Sequence, residues 1–517
     1  MKRKVTYDDL LLLMMIINGV ALTVESSIGI NTYVKPVFMG LSVVLGLRAF
    51  YFKDKITQVK TLVGLSFLGN EVFLMLIPIM LAPAFLTIFY NPKVRRLTLV
   101  VYFFLAYCLV MLVATNVFDF SFFTIVFWFI TFGSLLVLFI YYAQSTYEEA
   151  DVSGVFVFFK RTILVQIPIM LLQAPIHRDF EPGDFWTGSS GNAVVVGFYF
   201  CMFLAFVFVR YFINLNRRIS FFSIITVKNI AIVAVFGALM YFNDSKVIIL
   251  VFGVGAVVYL FFLLLLRFLS KLKLLMFLKA VFAFGVIALL INITYIAATV
   301  YVNNTLETSQ GFEALNAYTG DNLDRTGANS KYILYRRIYV DMLYEKPMSW
   351  LFGAGPGKFA SKASNILAYD VLYKTESQLK LPEMIKAYSS PEVREYMADL
   401  WTRKAAETML WRSSMLSMPF GGMVTMKAEY GFIGLCFFLT MVFAFSYFLI
   451  KKAFTIDNWK LKDWAIVLSI TWFTLPVHML FENYQDRGYI MIPLLTLTAV
   501  LYSMARQKQP NQDPTPA

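Results

Sequence analysis

Runs of Leu, Val, Ile, Phe and Ala recur along the chain, for example over 97–115, 120–142, 247–266 and 275–300. A run of about 18 or more such residues is long enough to cross a bilayer as a helix. In hydrocarbon every backbone polar group must be satisfied within the span, which leaves helices or a closed barrel. Barrel strands would alternate in polarity over about ten residues, and these runs do not alternate. The expected fold class is an all-α polytopic membrane protein of about 12–14 transmembrane helices, with one large, mostly helical extracytoplasmic loop.

Composition agrees with this reading. Hydrophobic residues make up 59% of the chain and charged residues only 15%, against about 25% charged in a soluble domain. The net charge of +13 does not point to nucleic acid. Lys and Arg cluster in the short connections between apolar runs, as they do in cytoplasmic loops. Cys108, Cys201 and Cys436 all fall inside apolar runs, so no disulfide framework is expected. "MKRK" leads into an apolar run without a small-residue cleavage site, so the first helix is expected to be retained.

These charges give the expected path. Lys2, Arg3 and Lys4 hold the N-terminus in the cytoplasm, and the crossings then alternate. The run 61–90, interrupted by "GNE", reads as a tight hairpin or a re-entrant segment. Glu148, Glu149, Lys160 and Arg161 read as a cytoplasmic stretch before a helix over 162–175. Four regions follow: transmembrane helices over 1–300, the large loop over 301–428, further transmembrane helices over 429–505, and a tail over 506–517 of disordered composition. The loop is nearly charge-balanced, with 15 Lys and Arg against 13 Asp and Glu. "PEVREY" from Pro391 carries helix-start signals.

"WLFGAGPGKF" (350–359) is the most unusual stretch in that loop. A phosphate-binding P-loop needs G-x-x-x-x-G-K-[ST] between a strand and a helix. Phe352 stands at the first glycine position, Phe359 replaces the hydroxyl residue, and the residues upstream are helical in pattern. Two readings remain. Pro347 and Gly353 are helix stops, or the bend brings backbone N–H groups of Gly353, Gly355 and Gly357 toward a lipid-borne phosphate.

Four patches in order carry a resemblance: "DFWTGSSGN" (184–192), "NDSKVIILVFGVGAVVYL" from Asn243, "SKYILYRRIYVDMLYEKPMSWLFGAGPGKF" (330–359) and "KAEYGFIGLCFFL" (427–439). Together they resemble the O-antigen polymerase and O-antigen ligase superfamily. The resemblance implies transfer of a glycan from a polyprenyl-diphosphate carrier to a hydroxyl acceptor, at the periplasmic face of the bacterial inner membrane. No cofactor and no metal is implied. The implied partners are the carrier-linked donor, a glycan or lipid A core acceptor, membrane lipid and a chain-length regulator. Many ligases of the superfamily carry a histidine shortly before the "A-E-x-G" glutamate, and here 413–428 has none. Lys331 and Lys246 stand where arginine is commoner, and the missing histidine favours a polymerase.

Such chemistry needs cations beside the diphosphate leaving group and a base for the acceptor hydroxyl. Arg178, with His177 beside it, follows a membrane helix on the outer side and is the first candidate for the leaving group; an interfacial anchor is its plainer role. Lys246 lies in a tight turn, where a lysine also snorkels. Arg336 and Arg337 precede the glycine bend, and Lys331 lies five residues earlier, roughly 140° around the helix. Candidate bases are Glu429, expected at a helix start where the dipole alone would favour it, and the cluster of His478, Glu482 and Asp486 near the outer membrane face. The competing classes are a ligase of the same plan, a glycan flippase or transporter, and a membrane scaffold. A transporter would show repeats and mid-membrane charges; a scaffold has no use for arginines beside glycine bends.

Overall fold

The computed structural model describes residues 6–28, 34–68, 88, 96–116, 122–173, 186–212, 234–240, 248–249, 251–256, 258–259, 334–361, 363–364, 390–397, 400, 421–453, 455–480, 484 and 488–507. All regular structure among them is helical. The long elements are α1 (Tyr7–Ile28), α2 (Val34–Phe52), α3 (Lys55–Ser66), α4 (Arg96–Asn116), α5 (Phe122–Trp128), α6 (Ser134–Ala143), α7 (Glu149–Gln173) and α8 (Ala193–Phe212). The loop supplies two short helices, α9 (Pro347–Phe352) and α10 (Pro391–Tyr396). The chain then forms α11 (Gly422–Ala453), α12 (Trp459–His478) and α13 (Gly488–Gln507). Six helical stretches among the described residues are long and apolar enough to cross a membrane. The chain is an all-α, multi-pass membrane protein.

α13 is the axis of the bundle. Its apolar window is buried over its whole length, the mark of a helix enclosed by protein rather than lipid. α6, α3, α11, α12 and α7 all pack on it. α1, α4 and α11 instead present Leu13, Ile17, Phe103, Val110, Val113 and Phe443 outward, as lipid-facing residues do. Helices in a bilayer gain little from hydrophobic contact and are held by close packing and hydrogen bonds. Here Ser446 Oγ donates to the Ser469 carbonyl at 2.8 Å and Ser469 Oγ to the Ser446 carbonyl at 2.6 Å, joining α11 to α12. Trp472 Nε1 donates to Thr498 Oγ1 at 2.8 Å, joining α12 to α13.

The two ends of the bundle differ. At one end Lys60 pairs with Asp8 at 2.8 Å, while Lys55 and Ser503 both reach Ser145. At the opposite end the loop docks on the start of α11. A second, smaller core forms there from Leu334, Ile338, Met342, Phe359, Val393 and Met397 against Val424 and Ala428.

Several boundaries differ from the sequence reading. The helix expected over 162–175 begins earlier: α7 starts at Glu149 and runs unbroken through Lys160 and Arg161. Long basic side chains extend their heads away from the apolar surface while their stems pack on it, and Lys160 lies over the Phe203 ring at 5.9 Å. Of the run 61–90, expected as a tight hairpin or a re-entrant segment, the first part belongs to α3, which ends at Ser66 with the Phe67 and Leu68 N–H groups closing its last turn; 69–87 and 89–90 lie outside the described residues. Pro347 begins a helix as well as following one, occupying the first turn of α9, where its missing N–H costs nothing. The expected helix start at Pro391 is present, capped by Ser390 Oγ on the Val393 N–H at 3.2 Å. The expected 428/429 boundary falls inside α11.

Candidate functional site

The glycine stretch is a docked loop whose hydrogen bonds all turn inward. α9 ends at Gly353, and two chains then cross backbone to backbone. The Ala354 N–H donates to the Ala428 carbonyl at 2.8 Å and the Gly355 N–H to the Glu429 carbonyl at 3.0 Å. Gly353 has φ +90° and Gly431 has φ +67°, a region that side-chain-bearing residues adopt at a cost of about 1–3 kcal/mol. A Cβ on Gly353 would land on the Glu429 carbonyl, and one on Gly431 on the Leu351 carbonyl. Both positions therefore require glycine for space as well as conformation. Gly431 also kinks α11 into two helical pieces.

The kink places Glu429 beneath the loop. Its carboxylate is completely buried. Oε2 accepts from the Gly357 N–H at 2.7 Å, and Oε1 from the Phe359 and Ser361 N–H groups at 2.9 and 3.1 Å. Successive N–H groups aimed at one point form an anion-binding concavity. The anion in this one is a side chain of the protein. Of the two sequence readings, the helix stop at Gly353 is present, while the other placed these backbone N–H groups beside a lipid phosphate. Instead, the Gly353 N–H goes to the Ser349 carbonyl, the Gly355 N–H to Glu429 carbonyl oxygen and the Gly357 N–H to the Glu429 carboxylate. Glu429 is the eighth residue of α11, in the last turn of its first piece and two residues before the kink at Gly431 beyond which the second piece begins, and both its oxygens are engaged. The three N–H donors explain its burial.

Aromatic residues frame this crossing. Tyr107 on α4 donates to the Tyr430 carbonyl at 2.6 Å and to the Phe352 carbonyl at 3.3 Å, one hydroxyl serving both strands of the crossing. Trp128 Nε1 donates to the Tyr430 hydroxyl at 2.7 Å. A π-helical turn, Phe129–Gly133, follows Trp128, and such bulges reorient side chains within a helix.

Two buried lysines hold the loop. Lys358 Nζ donates to the Thr115 carbonyl at the C-terminal end of α4, 2.8 Å away, where a cation suits the helix dipole. Lys427 Nζ donates to the Trp350 carbonyl and lies over its ring at 4.0 Å. The sequence reading missed both lysines. Lys358 stood in plain view behind the glycines, but only the packing shows that it points into the bundle.

"TGSSGN" forms a second locked turn. Ser189 N–H donates to Gln166 Oε1 at 2.8 Å, and Ser189 Oγ to the Phe67 carbonyl at 2.7 Å. Gln173 pairs with the Gly188 peptide in both directions: its Nε2 donates to the Gly188 carbonyl at 3.1 Å and its Oε1 accepts from the Gly188 N–H at 3.0 Å. Asn18 on α1 donates to the Ser189 and Leu68 carbonyls at 2.7 and 3.1 Å. The signal for this site was legible: Asn18, Gln166 and Gln173 are amides inside apolar runs.

Of the other candidates, Arg336 is exposed, with its Nε 3.8 Å from Asp341. Arg337 Nη1 donates to the Tyr396 carbonyl at 3.0 Å, which ties it to α10. His478 is buried among Phe198, Phe252 and Tyr484, with ring centroids 5.6, 6.1 and 5.6 Å away. Its Nε2 has no hydrogen-bond partner among the described residues. His177, Arg178, Lys246, Lys331, Glu482 and Asp486 lie outside the described residues. No group of three or more His, Cys, Asp and Glu able to hold a metal ion occurs among the described residues. No protein-family model matches the chain, and no curated protein matches it.

Proposed function

We propose that this protein is a membrane glycosyltransferase that polymerises polyprenyl-diphosphate-linked oligosaccharide units at the outer face of the bacterial inner membrane. The observation that carries the proposal is the interlocking of two of the four resembling patches. Residues 350–359 and 427–439 are about 70 positions apart in sequence, yet Glu429, Gly431 and Gly353 join them into one unit. An order of motifs that had no three-dimensional relation would be weaker support.

Lys53 just before α3, Lys55 at its first residue and Lys451 and Lys452 in the last turn of α11 lie at the end of the bundle away from the docked loop. The positive-inside rule puts that end in the cytoplasm and the loop on the side where a carrier-borne glycan is presented. Arg336 is exposed next to the docked loop and suits a diphosphate, because guanidinium binds phosphate bidentately and stays charged. Arg178 is proposed to share that role. Glu429 is assigned to holding the loop, so the base that takes the acceptor proton is sought in the cluster of His478, Glu482 and Asp486. The lack of a histidine over 413–428 favours a polymerase over a ligase.

The test uses purified protein in lipid nanodiscs with a short polyprenyl-diphosphate oligosaccharide. The expected product is a ladder of longer carrier-linked glycans without added nucleotide. Arg178→Ala is expected to lower the rate about 10²–10³-fold, the usual cost of one transition-state donor, at unchanged protein level. Transfer only to a lipid A core acceptor would make the chain a ligase. Absence of transfer to either acceptor from every donor tried would overturn the proposal.

A further inference from the structure

The residues leading into the glycine bend carry apolar surface on two sides. One side belongs to the small core: Leu334, Ile338 and Met342 are buried in it. On the other, Val340 is 46% exposed, Leu343 38%, Tyr344 80% and Met348 68%. Val340 lies in a π-helical turn (Arg337–Asp341), Leu343 and Tyr344 in the helical turn Met342–Glu345, and Met348 in α9 beyond the non-helical Lys346. The four form an exposed apolar stripe along 340–348 by their closeness in the chain and not by one helical repeat. Singly exposed apolar residues need no explanation, but a contiguous set marks an interaction surface.

The neighbouring elements fix the height of this stripe. From Phe432 to Ala453, α11 rises about 33 Å at ~1.5 Å per residue, close to the ~30 Å hydrocarbon core. The far end of that piece carries Lys451 and Lys452, so the kink at Gly431 sits near the opposite boundary of the hydrocarbon. Phe432, exposed on the first turn after the kink, stacks on Trp350 at 5.2 Å with 9° between the rings. Trp350, two residues past Met348, is thus held against the outward apolar face of a membrane-spanning helix. Tyr344 and Trp350 supply the aromatic residues that favour headgroup level. Exposed Arg336 precedes the stripe, and half-buried Lys346, paired with Glu395, lies within it.

We infer that residues 337–348 lie on the bilayer as an interfacial anchor, with Val340, Leu343, Tyr344 and Met348 inserted at the headgroup and acyl boundary of the leaflet on the loop side. The partner is the lipid surface itself. Anchoring there keeps the loop, with Arg336 at its edge, at the height of lipid headgroups. The inference rests on the membrane-spanning fold and not on the glycan chemistry, so it can fail or stand independently of that reading.

The experiment reads position, not activity. In a Cys436→Ser background (Cys108 and Cys201 are buried), single cysteines replacing Val340, Tyr344 or Met348 carry a nitroxide label. The protein is placed in nanodiscs of phosphatidylethanolamine and phosphatidylglycerol. Power saturation compares collisions with oxygen, which concentrates in lipid, and with a water-soluble nickel chelate. Labels at Val110 on α4 and Arg394 on α10, both exposed, give the lipid and water references. All three test sites are expected to favour oxygen, as at Val110. Nickel-favoured collisions matching Arg394 would overturn the inference, and so would sites closed to both reagents, which would mean that protein covers the stripe. Because three separate sites are read, failure of one variant to fold leaves the other two decisive.

Discussion

The two glycine-bearing turns are locked from within by different groups, and the donor and acceptor set of each backbone explains the difference. Residues 357–361 present three N–H donors to one point, and an acceptor-only carboxylate, Glu429, fills it. The Gly188 peptide presents one donor and one acceptor, and an amide that can do both, Gln173, meets it. A buried carboxylate with three N–H donors is a satisfied anion; the same carboxylate against Gly188 would meet a carbonyl. The choice of Glu in one place and Gln in the other follows from backbone geometry alone.

Four substitutions test this pairing, and thermal unfolding in lipid nanodiscs is the measurement for each. The largest effect is expected from Glu429→Ala, which leaves three buried N–H groups without acceptors. At roughly 1–3 kcal/mol per orphaned group, the loss is expected to be about 3 kcal/mol or more, with the loop becoming protease-sensitive. A change under about 1 kcal/mol would mean that water replaces the carboxylate and that the loop does not depend on it.

Gln173→Glu comes next. The new carboxylate keeps the Gly188 N–H but faces the Gly188 carbonyl. A loss of about 2–4 kcal/mol at neutral pH is expected. Its sign with pH is definite. The protonated acid can donate to the Gly188 carbonyl, so the variant is expected to recover stability on acidification. A variant whose deficit grows on acidification would contradict this account of the turn.

Glu429→Gln should be milder than either. The amide oxygen can still accept from Phe359 and Ser361, while its NH2 group opposes the Gly357 N–H. The expected loss is about 1–3 kcal/mol. Parity with Glu429→Ala would show that charge, and not acceptor count, holds the loop. The smallest effect is expected from Ser189→Ala, about 1 kcal/mol, because Asn18 and both glutamines still hold the turn. A larger loss would make the Ser189 hydroxyl to Phe67 carbonyl bond the principal clasp on the end of α3.

Much of the fold was legible because membrane spans announce themselves locally. Twenty apolar residues need no distant partner to be read as a crossing, and Gly353, Pro347 and Pro391 act on their own backbone. The candidate site was legible only in outline. The glycine bend was identifiable as a bend, but its hydrogen bonds go to a residue 68–72 positions away, and nothing at Gly357 says so. For the same reason a dipole argument was applied to Glu429, which does lie just before the second piece of α11 but whose carboxylate is held by three N–H donors of the loop.

By itself the sequence determined the helical, membrane-spanning class and the residues at which the chain must turn, since each follows from the local chemistry of side chain and solvent. Tertiary structure alone decided that Glu429 is the anion of the glycine concavity, that Lys358 and Lys427 point inward, and that Gly353 and Gly431 must both be glycine. The physical reason is that a buried polar group is defined by its partners. Partners brought together by the crossing of α11 with the loop are set by packing, which no local pattern records.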